Sequence, residues 1–150
     1  MAELDPRVLD SPAEAGLVAE WRELLARHAA TACLLDRELG DKYGLGMSEF
    51  EVLERLVEGC QAEGRHALRV AELAPTVHLS QSALSRLIAR LEKSGLVTRA
   101  MCESDRRGIM LELTEAGRER YEQARPLHRE VLGLTLGEPL GPVCREPASD

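Results

Sequence analysis

A mainly helical chain carrying one small β-hairpin is predicted by three features of this 150-residue sequence. Leu, Ala, Arg and Glu dominate the composition while aromatic residues make up only 3%, a balance that favours helix over sheet. Leu84, Leu87, Ile88 and Leu91 fall at i, i+3, i+4 and i+7, the stripe of one helix face. Val97, Arg99 and Met101 then alternate with Thr98, Ala100 and Cys102, and Ile109, Leu111 and Leu113 with Met110 and Glu112, so two strands flank a loop at 103–108. The length suits one domain with a real core.

Residues 1–13, with Pro6, Pro12 and mixed charges, read as a loose arm. From Glu14 to about Leu39 a long helix is expected. Leu17, Trp21, Leu24, His28, Thr31 and Leu35 recur every three or four residues with Val18, Leu25 and Ala32 beside them, a band broad enough to touch two neighbours. Gly40, Gly44 and Gly46 should break it. A second helix starts at Met47, where Ser48 and Glu51 match a capping box and Met47 with Val52 a hydrophobic staple. It buries Phe50, Leu53, Leu56, Val57 and Cys60, and Gly59 and Gly64 surround its end.

Ala67 to Val70 is a short strand that needs the later hairpin as a partner. Residues 71–77 form a short helix held to two turns by Pro75, and His78-Leu79 turns the chain into the next one. Ser80 is a good N-cap for that helix and Ser94-Gly95 a good stop, since Gly accepts the left-handed conformation. Short helix, tight turn and amphipathic helix is the helix-turn-helix order, and a hairpin with an arginine tip makes it a winged helix. After the hairpin Thr114 caps another long helix from Glu115, with Tyr121, Ala124, Leu127, His128 and Val131 on its apolar side and Pro126 as an expected kink. Gly133, Gly137, Pro139, Gly141 and Pro142 dissolve the pattern, and residues 137–150 read as a disordered tail.

The polar face of the helix after Ser80 carries the chemistry. Ser80, Gln81, Ser82 and Ser85 are short hydrogen-bonding groups near its start, and Arg86 and Arg90 follow along the same face. Such a face suits a major groove, with Gln81 able to make a bidentate contact to adenine and Arg86 to meet guanine or phosphate. The bland alternative is an ordinary solvated helix face. Charge distribution favours the groove reader. The whole chain is −7, yet residues 80–107 hold Arg86, Arg90, Lys93, Arg99, Arg106 and Arg107 against Glu92, Glu103 and Asp105. It is the one net-positive segment of an acidic molecule, which orients the protein on DNA and discourages other faces from sticking.

Other chemistries find less support. No Gly-rich phosphate loop, nucleophile elbow, HExxH or clustered carboxylate pair is present, so an enzyme is not expected and no cofactor is implied. His28, His66, His78 and His128 with Cys60 show no local ligand spacing, and no metal is expected. Cys33, Cys60, Cys102 and Cys144 are widely spaced and read as free thiols. Cys33 and Cys102 are the candidates for redox sensing, set against the simpler reading of incidental cysteines. The first ten residues are acidic and no long apolar run occurs, so neither a signal peptide nor a membrane span is expected and the chain is placed in the cytoplasm.

By its residues from about Met47 to Val131 the chain resembles the MarR family of bacterial winged-helix transcriptional regulators. The resemblance rests on LRVAELAPTVHLSQSALSRLIARLEKSGLVTR (68–99) and on DRRGIMLELTEAGRE (105–119), a D-x-R wing followed by strand alternation and T-x-x-G into a helix. It implies a homodimer paired through the first helix and loop (14–46) and the C-terminal helix (115–136), with the winged domain (47–114) of each subunit on one half of a roughly palindromic operator in double-stranded DNA. A further dimer-locking helix usual in the family has no counterpart in this short C-terminus. The resemblance also implies that Arg107 enters the minor groove with Asp105 holding its guanidinium, and that Arg106 meets a phosphate. A cleft lined by Trp21, His28, Phe50 and Tyr121 would take a small aromatic effector. The expected function is a homodimeric repressor released by an effector or an oxidant; the alternative is a winged-helix protein-interaction module without DNA binding.

Overall fold

The computed structural model describes residues 11–63, 67–101 and 108–137. Five helices and a three-stranded antiparallel sheet run in the order α1 (Pro12–Tyr43), α2 (Met47–Glu63), β1 (Ala67–Arg69), α3 (Val70–Val77), α4 (Gln81–Lys93), β2 (Val97–Met101), β3 (Ile109–Leu113) and α5 (Glu115–Leu136). Among the described residues no helix is long and apolar enough to cross a membrane. Most of the arm, 1–10, and the tail beyond Gly137 lie outside the described residues, as do Cys102, Asp105, Arg106, Arg107 and Cys144.

Helix α1 is longer than expected at both ends. Ser11 accepts a hydrogen bond from the Glu14 amide and Pro12 occupies the first turn, where its missing N–H costs nothing. Gly40 does not break the helix. It stays on an exposed turn, where a helical glycine costs only about 1 kcal/mol, and the chain stops at Gly44 in the left-handed region (φ 65°). Helix α2 also begins differently from the capping box expected at Ser48 and Glu51. Its Met47 amide donates to Asp36 Oδ1 at 2.7 Å, so a carboxylate on α1 caps it from eleven residues upstream. The helix ends at Glu63, between Gly59 and Gly64 as expected, and at Gly59 the Leu68 side chain packs where a Cβ would stand, at 2.8 Å.

The short strand joins the hairpin as expected. Sheet order is β1-β3-β2, with Leu68 and Arg99 both opposite Leu111. Leu111 is fully buried and packs toward the helices with Leu96 and Val97. Helix α5 runs unbroken past Pro126 and Gly133. At its start Thr114 Oγ1 accepts from the Gly117 amide at 3.0 Å and donates to Gly95 O at 2.7 Å. This draws the helix so close to the sheet that a Cβ on Gly117 would sit 2.1 Å from Leu96 O. The T-x-x-G spacing is thus a contact requirement, the hydroxyl capping the turn and the glycine admitting the carbonyl.

One core joins all the helices. Leu35 and Leu39 of α1, Phe50, Leu53 and Leu56 of α2, Leu73 of α3, the α4 stripe, and Tyr121, Ala124 and Val131 of α5 are buried together. The first half of α1 is the exception. Leu17 is 67% exposed, Trp21 60%, Leu24 57% and Leu25 47%, and at the end of α5 Leu134 is 72% exposed. These two ends are neighbours, for Arg27 Nη1 donates to Leu136 O at 3.3 Å and the hydroxyls of Thr31 and Thr135 meet at 2.7 Å. The second half of α1 therefore packs on α5 and α2, while the apolar band of its first half is left bare within the chain.

Candidate nucleic-acid interface

The left-handed His78 (φ 52°) closes α3 and swings the chain into α4. Ser80 Oγ accepts from the Ala83 amide at 3.2 Å, fixing the first turn. Leu84, Leu87, Ile88 and Leu91 are 0 to 2% exposed, and burying each stabilises the docked helix by about 1.5–3 kcal/mol. Their periodicity forces the other face outward, so Ser80, Gln81, Ser82, Ser85, Arg86 and Arg90 are all exposed. Six of the nine residues expected to contact DNA are thereby placed on one face. The other three, Asp105, Arg106 and Arg107, fall outside the described residues.

The cations of this edge are not equivalent. Arg90 Nε lies 3.2 Å from Glu49 Oε1 on α2, and Arg99 Nε 3.3 Å from Glu92 Oε2. Arg86 and Lys93 have no carboxylate partner among the described residues. Ser48, Leu79, Ala83, Arg86, Leu87 and Arg90 line a shallow depression of about 250 Å³ where the start of α2 meets α4.

The four residues expected to line an effector cleft are not brought together. Phe50 and Tyr121 are buried with ring centroids 5.3 Å apart. Trp21 and His28 stand on the exposed half of α1. The third ring of the cluster is instead His128, stacked on Phe50 at 4.2 Å with an interplanar angle of 19°. Cys33 is exposed on α1 and Cys60 half-buried on α2.

Beside these rings lies a polar cluster that sequence reading missed. Glu54 accepts from the Tyr121 hydroxyl at 3.1 Å and from both terminal nitrogens of Arg129. Arg129 Nη1 also donates to His128 Nδ1 at 2.6 Å, which places the ring proton on Nε2. Burial would raise the Glu54 carboxyl, but the hydrogen bond and charge of Arg129, with Tyr121 and His128 behind them, outweigh it and hold Glu54 below its ordinary range. Burial first and the Arg129 charge second push His128 from 6.5 down to about 4. Donor atoms of Glu51, Glu54 and His128 lie within 4.8 Å of one another, the kind of set that holds a divalent cation. Here the Arg129 guanidinium takes that place and engages both Glu54 oxygens and His128 Nδ1.

The cluster has a pH consequence. In the folded chain His128 binds its proton less tightly than in the unfolded chain, so the unfolded state gains protons first as pH falls. Its contribution is complete above about pH 6.5 and is lost by about pH 4, a swing of at most about 3 kcal/mol. Glu54, with its lowered pKa, acts in the same direction. Thermal melting against pH should show the midpoint falling over this window and a flatter profile for His128→Phe, which keeps the stacked ring; equal slopes in both proteins would contradict the assignment.

Comparison with known proteins agrees with this geometry. A family profile described as "MarR family" matches residues 45–109. The structure resembles that of Sco3205, a MarR family transcriptional regulator from Streptomyces coelicolor crystallised in complex with DNA, with 34% identity and a TM-score of 0.74 over 89% of this chain and 82% of that one. AbsC, a MarR family transcriptional regulator from the same organism, is similar at 30% identity and a TM-score of 0.73 over 95% of this chain and 86% of that one. The organic hydroperoxide resistance transcriptional regulator of Bacillus subtilis (strain 168) is 32% identical over 68 residues, 45% of this chain and 46% of that protein. The matches span between 30% and 60% of the length of the curated relatives.

Proposed function

This chain belongs to the MarR family of transcriptional regulators, and from that premise we propose that it binds double-stranded DNA as a homodimer, at a roughly palindromic operator, as a cytoplasmic repressor released by a small-molecule effector or an oxidant. The observation that carries the DNA reading is the division of α4 into a fully buried stripe and an exposed face of serine, glutamine and arginine. Near its start, Gln81, Ser82 and Ser85 are within reach of base edges; Arg86 and Arg90 supply charge for the backbone. Asp105, Arg106 and Arg107 serve the wing in the same reading, in the minor groove and on its phosphates.

Homodimerisation is supported by the bare apolar band of α1 and the exposed Leu134 and Leu136 at the end of α5, large hydrophobics of the kind that mark an interaction surface. Release by oxidant is supported by the hydroperoxide-resistance relative and by the exposed thiol of Cys33, and release by an aromatic effector by family resemblance. A ligand of either kind acts by preferring a conformer in which the two α4 helices are wrongly spaced, and it lowers operator affinity by that preference.

Selection of genomic fragments by the purified protein, with and without oxidants and aromatic acids, tests this directly. A palindromic site should be recovered, its affinity falling steeply with salt. Arg86→Ala should weaken binding by about 1–3 kcal/mol with folding retained. Recovery of no preferred sequence, or affinity indifferent to salt, would exclude the DNA reading.

A further inference from the structure

We propose that Glu49 is a positioning residue for Arg90 that governs how strongly the protein discriminates between its operator and other DNA. The inference rests on the DNA-binding reading above and adds a residue outside the helix-turn-helix to it. Glu49 stands in the first turn of α2 and is only 17% exposed, whereas Arg90 reaches over from α4 and is 63% exposed. The carboxylate is the anchored partner; a Cβ on Gly46 would lie 3.7 Å from its Oε1, so it folds back over the start of its own helix. Contact to Arg90 is through Nε at 3.2 Å.

Two consequences follow from that geometry. With its Nε–H given to the carboxylate, the guanidinium keeps its far end, the fork of two terminal nitrogens, for two oxygens of one phosphate. Arg90 sits in the last turn of α4, the part of a recognition helix that faces the backbone rather than the bases. The second consequence is electrostatic. Arg90 and Glu49 together carry no net charge toward an approaching duplex, while Arg86, one turn earlier in the same depression, has no carboxylate partner among the described residues. Arg86 attracts any DNA. Arg90 contributes when α4 is seated deeply enough for a phosphate to meet the fork, and in any other register Glu49 repels the backbone.

The test uses a labelled duplex of mixed sequence, titrated at a series of salt concentrations with the wild-type protein, Glu49→Gln, Arg90→Ala and the double variant. Glu49→Gln should bind that duplex about three- to tenfold more tightly at low salt, with the slope of log K against log salt steeper by about one. Discrimination between operator and mixed-sequence DNA should shrink accordingly. The double variant should match Arg90→Ala alone. If Glu49 only supports the start of α2, Glu49→Gln will shift the melting temperature and leave the salt slope unmoved, and that result overturns the inference. So does a Glu49→Gln effect that survives in the Arg90→Ala background. Failure of the DNA reading itself is a separate outcome, seen when the wild-type protein recovers no preferred sequence in the selection.

Discussion

Leu24→Glu is expected to separate the protein into single chains and to lower operator affinity about a hundredfold or more. Leu24 lies in the bare band next to Leu25, one turn from Trp21 and two from Leu17, and is 57% exposed in the single chain. A carboxylate at so exposed a position costs the single chain little. In the dimer two such carboxylates would be desolvated among apolar side chains, which costs several kcal/mol. Loss of operator affinity follows because two half-sites joined in one molecule gain about 10²–10⁴ over one alone. Sedimentation gives the mass. Trp21, the one tryptophan of the chain and 60% exposed, reports the environment, its emission shifting to longer wavelength when the partner is removed. A variant that keeps the mass of two chains would show that the band is covered by something other than a second copy.

Phe50→Ala carries the largest expected cost in stability, about 3–5 kcal/mol. The ring is fully buried between Tyr121 and His128, and α2 carries it into the contact between the winged domain and α5. Its removal leaves a cavity between α2 and the Tyr121 and His128 rings of α5, and the surrounding helices can collapse into it only partly. Phe50→Leu, which keeps most of the volume, should cost about 1–2 kcal/mol. Denaturant midpoints measure both. A small loss for alanine would mean that Phe50 borders open space, as the effector-cleft reading requires, and not the core.

The division between what local sequence reveals and what it hides follows interaction range. The α4 stripe, the Ser80 and Thr114 caps, the Gly95 stop and the strand alternation are encoded within a few residues, and each is where periodicity or capping chemistry puts it. The exposure of the six residues of α4 and its N-cap expected to meet DNA follows from the stripe, because burying Leu84, Leu87, Ile88 and Leu91 turns the other face outward. Misreadings share the opposite property. Asp36 caps α2 from another helix, and Gly40 is tolerated because an exposed turn can absorb it.

One signal for the missed cluster was present. Phe50, Leu53, Glu54 and Val57 fall on one stripe of α2, so an acid sits on an apolar face. A buried carboxylate requires a cation or several donors, and α5 places Tyr121, His128 and Arg129 on the facing side. What the sequence could not supply is the partner, 75 residues away. The Glu49 to Arg90 contact is hidden in the same way, 41 residues apart.

The account depends on two α4 faces entering successive major grooves on one side of a duplex. Hydroxyl-radical footprinting on the selected operator measures this most directly. Two protected patches, centred about 10 base pairs apart on the same face and both lost in Leu24→Glu, are the predicted result. A single patch unaffected by Leu24→Glu, or protection that survives when Arg86 and Arg90 are both replaced by alanine, would contradict it.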